Sequence, residues 1–223
     1  MTGKVVSRDE WLTARQALLV KEKELTRAND ALAAQLRDLP MVKIDKSYTF
    51  EGPGNTKFTL SDLFQGQSQL IVYHFMFPPG DDEGCRGCSH IGESLPDVRH
   101  LRLKNTNLVC VSRGDIDKLE AFRKRNEWTW PWYSSGESDF NYDFQATKRT
   151  PSDKAEQGSQ GLTEDVPGFS VLLKQDGEIY HTYSTFARGG EKVMPTLMLL
   201  DITPLGRQIG QYGPAEFKLK HEY

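Results

Sequence analysis

The run Leu70-Ile71-Val72-Tyr73-His74-Phe75-Met76-Phe77 leads through Pro78-Pro79-Gly80 to Cys85-Arg86-Gly87-Cys88, and this stretch restricts the fold more than any other. It is too short and too evenly apolar for an amphipathic helix, and Pro-Pro-Gly bounds it, so it reads as a buried strand. Ser89 to Lys104 then carries Ile91, Leu95, Val98, Leu101 and Leu103 at helical spacing, interrupted at Pro96. The order is strand, loop, two cysteines, kinked helix. A thiol at the start of that helix meets unpaired backbone N–H groups and the positive end of the helix dipole, which favour thiolate over thiol. The spacing lets both sulfurs share one turn, so a mixed disulfide on Cys85 is open to displacement by Cys88. Dithiol–disulfide exchange is the implied chemistry, although Cys-x-x-Cys also forms half of a zinc site.

The chain has 223 residues, 37% hydrophobic and 26% charged, the make-up of an ordinary globular protein with one sizeable core. A formal net charge of −3 argues against nucleic acid or an anionic membrane surface as partner. The longest apolar run is about eight residues against roughly 20 for a bilayer span, and Met1 to Trp11 shows no signal-peptide core. The expectation is a cytoplasmic protein. In a reducing compartment, three cysteines suit a working pair plus one buried bystander, Cys110 in Leu108-Val109-Cys110-Val111.

Ser7-Arg8-Asp9-Glu10 forms a capping box that opens a helix running to about Asp38, before Pro40. Its seam is Trp11, Leu18, Leu25, Leu32 and Leu39, seven residues apart, thickened by Leu12, Leu19, Ala28 and Leu36. Two readings stand: a helix packed along the domain, or a dimerisation arm. Residues 1–40 are therefore set apart from a domain over 41–223, and a homodimer is predicted. Tyr48-Thr49-Phe50 and Lys57-Phe58-Thr59 flank Glu51-Gly52-Pro53-Gly54-Asn55 as a β-hairpin. Asn107 to Ser112 reads as a second buried strand and Asp115 to Asn126 as a helix, giving the β-α-β-α order of a parallel sheet. The segment 128–144 is rich in aromatics, which either fill the core or line a substrate groove. Gln145 to Asp165 reads as a surface loop. Phe169 to Lys174 and Glu178 to Ser184 form a hairpin through Asp176-Gly177. Met194-Pro195 opens a last helix, and Gly206 onward reads as a polar tail.

The Cys85-Arg86-Gly87-Cys88 turn, the helix broken at Pro96 and Val166-Pro167-Gly168-Phe169-Ser170-Val171-Leu172-Leu173-Lys174-Gln175-Asp176-Gly177 resemble the thioredoxin fold. The hairpin and Phe58-Thr59-Leu60-Ser61-Asp62-Leu63-Phe64 resemble the N-terminal extension of its peroxiredoxin-like branch. Ser7 to Leu39, Leu70 to Phe77, Ser138 to Phe144 and His181 to Gly189 are similar to an uncharacterised thioredoxin-like family of predicted dithiol-disulfide oxidoreductases. The resemblance implies an α/β fold: a thioredoxin-like central mixed sheet flanked by helices, with a long N-terminal helix and an N-terminal β-hairpin. It also implies that Pro167 occupies the place of the superfamily's cis-proline beside the dithiol.

The leading expectation is a thiol–disulfide oxidoreductase with Cys85 as nucleophile and Cys88 as resolver. Val166, Pro167 and Arg86 form the substrate face, and no organic cofactor or metal is expected. Its partners are a disulfide-bearing protein or a small-molecule thiol. The departures from the family patterns are Arg-Gly between the cysteines and Asp81-Asp82-Glu83 ahead of them, three carboxylates expected to oppose the helix terminus and Arg86 and leave Cys85 less acidic than the cysteine of a dedicated oxidant. In the pattern Pro-x-x-x-Thr-x-x-Cys, Pro78 and Cys85 match, but Asp82 stands where a peroxide-binding hydroxyl belongs, so a thiol peroxidase is the weaker enzymatic reading. Two alternatives come from other classes. One is a metal-binding module using Cys85, Cys88, His90 and His74 or an acid; the other is a redox-inert binding module gripping a small molecule with the aromatics and Arg188.

Overall fold

The computed structural model describes residues 3–136, 138–149 and 163–223. The chain runs α1 (Arg8–Arg37), β1 (Val42–Lys43), β2 (Thr49–Gly52), β3 (Thr56–Thr59), β4 (Gln69–His74), α2 (Arg86–Ser94), α3 (Val98–Arg102), β5 (Thr106–Ser112), α4 (Ile116–Arg125), β6 (Trp132–Ser134), α5 (Phe140–Asp143), β7 (Thr147–Arg149), β8 (Thr163–Asp165), β9 (Gly168–Gln175), β10 (Glu178–Phe186) and α6 (Pro195–Asp201). Eight strands form one sheet in the order β1-β10-β9-β4-β5-β6-β2-β3. The pairs β4·β5 and β5·β6 are parallel, and β9 returns antiparallel on the other side of β4.

The centre of this sheet explains the uninterrupted apolar runs. Successive side chains on a strand point to opposite faces, so a strand covered on both sides is apolar throughout. In β4, Leu70 and Val72 enter a core with Phe50, Phe64, Phe140 and Phe144, while Tyr73 enters a second core with Phe75, Cys88, Phe122 and Trp132. In β5, Val109 and Val111 join the first core and Leu108 and Cys110 the second. The aromatics of 128–144 divide between the two; Trp128, Trp130, Trp132, Tyr133, Phe140 and Phe144 are all buried. They are core residues, not the lining of a groove.

The hairpins form as expected. Thr49 to Gly52 pair with Thr56 to Thr59. At the tip between β9 and β10, Asp176 and Gly177 adopt φ of 53° and 83°, the left-handed pair that a two-residue turn with Asp-Gly provides. The single kinked helix of the sequence reading is two helices: α2 ends at Ser94, and Asp97 caps α3 by accepting from the Arg99 N–H at 2.9 Å. Pro96 cannot continue the first hydrogen-bond ladder, and its predecessor Leu95 is held extended. Of the expected loop over 145–165, residues 150–162 lie outside the described residues. Its two ends pair as the ribbon β7·β8.

Helix α1 carries the expected capping box, with Ser7 N–H donating to Glu10 at 2.9 Å and Glu10 N–H donating to Ser7 Oγ at 3.3 Å. None of its residues is buried, and the seam from Trp11 to Leu39 is 45% to 63% exposed. Its C-terminal end, at Leu36 to Leu39, borders a groove with Leu173 and Tyr183 of the sheet. The expected polar tail also differs: Phe217 packs against the second core and Leu219 is buried, because two apolar residues in that polar segment fold back onto α2. No helix among the described residues is long and apolar enough to cross a membrane.

Phe140 joins α5 to the sheet, meeting Tyr48, Phe50 and Phe144 at ring-centroid distances of 5.2, 4.8 and 4.5 Å. Phe140→Ala leaves that cavity unfilled and is expected to cost about 3 to 5 kcal/mol, measured as a lower midpoint in denaturant at unchanged slope.

Candidate functional site

The geometry of the dithiol is inherited from β4. After Pro78 to Gly84 the chain is drawn back to the strand end by the Cys85 N–H, which donates to the Met76 carbonyl at 3.1 Å. Gly84 permits the approach: a Cβ there would lie 2.7 Å from the Phe75 ring and 3.2 Å from that of Phe122. Cys85 is the N-cap of α2, half-buried, and Cys88 lies inside the first turn, 1% exposed. Ser89 N–H and Oγ both donate to the Cys85 carbonyl, at 2.9 and 3.0 Å, which fixes the cap. All three cysteines are unpaired thiols.

The two thiols titrate in opposite senses. The pKa of Cys85 is pushed down to about 6, chiefly by the hydrogen bond from the Cys88 thiol; burial opposes this, and the backbone N–H groups of Cys88 and Gly87 assist it. Burial pushes Cys88 well up, and the hydrogen bond and charge of Cys85 add to the rise. The Met76 backbone and the Tyr73 hydroxyl act the other way on Cys88. Tyr73 sits beneath the turn, its hydroxyl donating to the Cys88 carbonyl at 3.2 Å and its ring stacked on Phe169 at 4.7 Å. Burial alone pushes Cys110 well up.

The acidic run before Cys85 behaves differently from expectation. Asp82 is held by Lys118 at 2.6 Å and Glu83 is paired with Arg125, both partners on α4. With their charges engaged by α4, neither contributes to the shift of Cys85, whose thiol is acidic. Arg86 donates from both Nη atoms to Glu222, at 2.9 and 2.7 Å, and from Nη2 to the Phe217 carbonyl at 3.3 Å.

The residues expected to form a substrate face follow the topology. His74 at the end of β4 pairs with Gly168 at the start of β9, so Val166 and Pro167 lie at the sheet edge from which the chain goes on to Cys85. The peptide bond before Pro167 is trans, unlike the cis-proline the resemblance implied. Its neighbours are held extended: Val166 N–H donates to the Ala146 carbonyl at 2.8 Å, and the Pro167 carbonyl accepts from Ala187 N–H at 3.4 Å.

The residues named for a metal do not converge. His74 lies on the opposite face of the sheet from Cys88, against Phe140 and Phe144. His90 is buried against Phe217, their rings stacked at 4.4 Å. Among the described residues, no group of three or more His, Cys, Asp and Glu side chains is placed to hold a metal ion. His74 belongs instead to a buried chain: its Nε2 meets Ser170 Oγ at 2.8 Å, Ser170 meets Ser184 at 2.7 Å, and Ser184 meets His181 Nε2 at 2.8 Å. Burial brings the His74 pKa to about 3, so the ring is neutral. Arg188, named for ligand binding, is paired with Glu191 at 2.8 Å.

Sequence reasoning missed Tyr73, Phe217 and Glu222. The parity of β4 carries the first, since Tyr73 shares a face with Ile71 and Phe75. Nothing in the sequence pairs Arg86 with a residue far along the chain.

The family model described as "Bacterial protein of unknown function (DUF899)" matches residues 1–223. The chain belongs to this family. No curated protein matches it. Among solved structures, peroxiredoxin Q of Xanthomonas campestris is similar at 15% identity over 73% of this chain and 98% of that one, with a TM-score of 0.51. PrxQ of Xylella fastidiosa shares 16% identity over 71% and 94%, with a TM-score of 0.48. Peroxidoxin BcpB of Mycobacterium tuberculosis shares 12% over 73% and 97%, with a TM-score of 0.49. Together with the sheet order, the first likeness establishes the thioredoxin-like fold for this DUF899 member.

In the reduced protein, alkylation is expected at Cys85 ahead of Cys88 and Cys110, its rate rising with pH to a plateau beyond a midpoint near 6. Cys88→Ala removes the largest cause of the depressed pKa and moves the midpoint upward. Cys88→Ser keeps a hydroxyl donor and moves it less. Peptide mapping after timed labelling reads all three.

Proposed function

We propose that this chain is a thiol–disulfide oxidoreductase, Cys85 acting as nucleophile and Cys88 as resolving thiol. The observation that carries the reading is the pairing of an accessible, acidified Cys85 with a buried Cys88 on one helix turn. The Cys85 thiolate attacks one sulfur of a substrate disulfide. A mixed disulfide forms, the substrate S–S bond breaks, and the departing thiolate takes a proton from water. Cys85 then carries no charge, so one cause of the raised Cys88 pKa is lost while the Tyr73 hydroxyl and the Met76 backbone still favour its thiolate. Deprotonated Cys88 attacks Cys85 Sγ, closes the Cys85–Cys88 disulfide and releases the second substrate sulfur as a thiol. The substrate gains two electrons, the dithiol loses two, and an external dithiol restores the enzyme. No organic cofactor enters the cycle, and a reducing compartment such as the cytoplasm suits it. Val166, Pro167 and Arg86 border the approach to Cys85.

Disulfide reduction coupled to dithiothreitol is the test. Wild type is expected to turn over a disulfide substrate, Cys85→Ser to fall to background, and Cys88→Ser to accumulate mixed disulfides through Cys85. Equal rates for wild type and Cys85→Ser would refute the reading. The same samples are expected to consume hydrogen peroxide only weakly.

We further propose that α1 pairs with α1 of a second copy. Four large apolar residues seven apart, Trp11, Leu18, Leu25 and Leu32, are exposed along a helix of about 45 Å. The full-length chain is expected to be a dimer by light scattering, and Leu18→Glu with Leu25→Glu a folded monomer. A variant that stays dimeric would rule out the α1 seam.

A further inference from the structure

The C-terminal segment is fastened across the start of the dithiol helix at four places. The Gly213–Glu216 turn brings Ala215 beside the cysteine turn: from the point where a Cβ on Gly87 would sit, the Ala215 nitrogen is 3.7 Å away and Cys85 Sγ 3.9 Å. Glu216 stiffens this turn by accepting from Gly210 N–H at 2.8 Å and Tyr212 N–H at 3.1 Å. Phe217 stacks on His90 at 4.4 Å, with the planes 16° apart. Lys220 N–H donates to Glu93 at 2.8 Å. Glu222 closes the set with its two-pronged pair to Arg86, one of the two residues between the cysteines of the motif, and also accepts from Leu219 N–H at 2.8 Å.

We infer that this segment is a strap that sets the substrate class of Cys85, with Arg86–Glu222 as its latch; the inference rests on the redox reading. Thiolate attack requires the incoming sulfur to come within bonding reach of Cys85 Sγ. A small disulfide brings little bulk to that approach. A disulfide within a folded protein brings several residues of backbone on either side, and these collide with Ala215 and the residues that hold it. The latched protein therefore selects small, unhindered disulfides. The latch is exposed enough to open, Arg86 and Glu222 side chains being 47% and 31% accessible, and an ion pair so placed weakens with salt.

The experiment uses the full-length reduced chain as wild type, Glu222→Gln, and the exchanged pair Arg86→Glu with Glu222→Arg. Turnover is measured with hydroxyethyl disulfide and with insulin, dithiothreitol being the reductant. Cys85 labelling is measured with iodoacetamide and with a polymer-bearing maleimide. Glu222→Gln is expected to raise the insulin rate and the polymer-labelling rate, each relative to its small counterpart, by about threefold, the scale set by losing one half-exposed ion pair. The exchanged pair returns both ratios toward wild type. Ratios that Glu222→Gln leaves unmoved, with turnover still dependent on Cys85, overturn the strap and leave the redox reading standing. A labelling ratio that moves as expected while neither disulfide is turned over above Cys85→Ser supports the strap as the gate to Cys85 and defeats the redox reading.

Discussion

A single backbone hydrogen bond, from Cys85 N–H to the Met76 carbonyl, fixes the place of the cysteine turn. It ties the start of α2 to a residue two beyond the end of β4, so the position of Cys85 is set by the continuation of the central strand and not by the loop between. Everything in the loop serves that closure. Gly84 lets the chain pass the Phe75 ring, and Lys118 and Arg125 of α4 hold its acids outward. A sulfur carried on a free loop would meet the helix N–H groups only part of the time; here Cys85 is the N-cap residue, and the Cys88 and Gly87 N–H groups help lower its pKa.

The asymmetry between the two thiols follows from that placement. One proton shared between them is worth most on the sulfur that is dry, because burial penalises the charged form, and the wetter sulfur then keeps the charge. The pair behaves as a unit, so a substitution at either cysteine alters the titration of the other. Tyr73 supplies a neutral donor under the buried thiol. Its own ionisation is driven well up by burial, so it gives a hydrogen bond without competing for the role of base.

Most of this architecture was legible in the sequence, and the reasons differ from element to element. Unbroken apolar runs at Leu70 to Phe77 and Leu108 to Val111 marked strands covered on both faces, Asp176-Gly177 marked a tight hairpin, and Ser7 with Glu10 marked a helix start. Each is a local rule that the chain obeys locally. What escaped was long-range. Three carboxylates beside a cysteine are expected to work against its acidity, but Lys118 and Arg125 arrive from α4 to engage two of them. Arg86 reads from the sequence as part of a substrate face, and its partner Glu222 is contributed by the far end of the chain. Phe217 and Leu219 were apolar residues in a polar segment, a signal with no stated partner until α2 was in place. Proline identity marked Pro167 as a candidate but did not fix its trans bond.

The buried chain from His181 to His74 has a direction, and one carbonyl sets it. His181 Nε2 lies 3.1 Å from the Tyr183 carbonyl, which accepts only, so this nitrogen carries the proton and Ser184 accepts from it as well. Ser184 must then donate to Ser170, and Ser170 to His74 Nε2. The proton of the neutral His74 ring is left on Nδ1, the nitrogen that finds no acceptor within the protein. A backbone oxygen on β10 thus dictates, through two hydroxyls, the tautomer of a histidine two strands away.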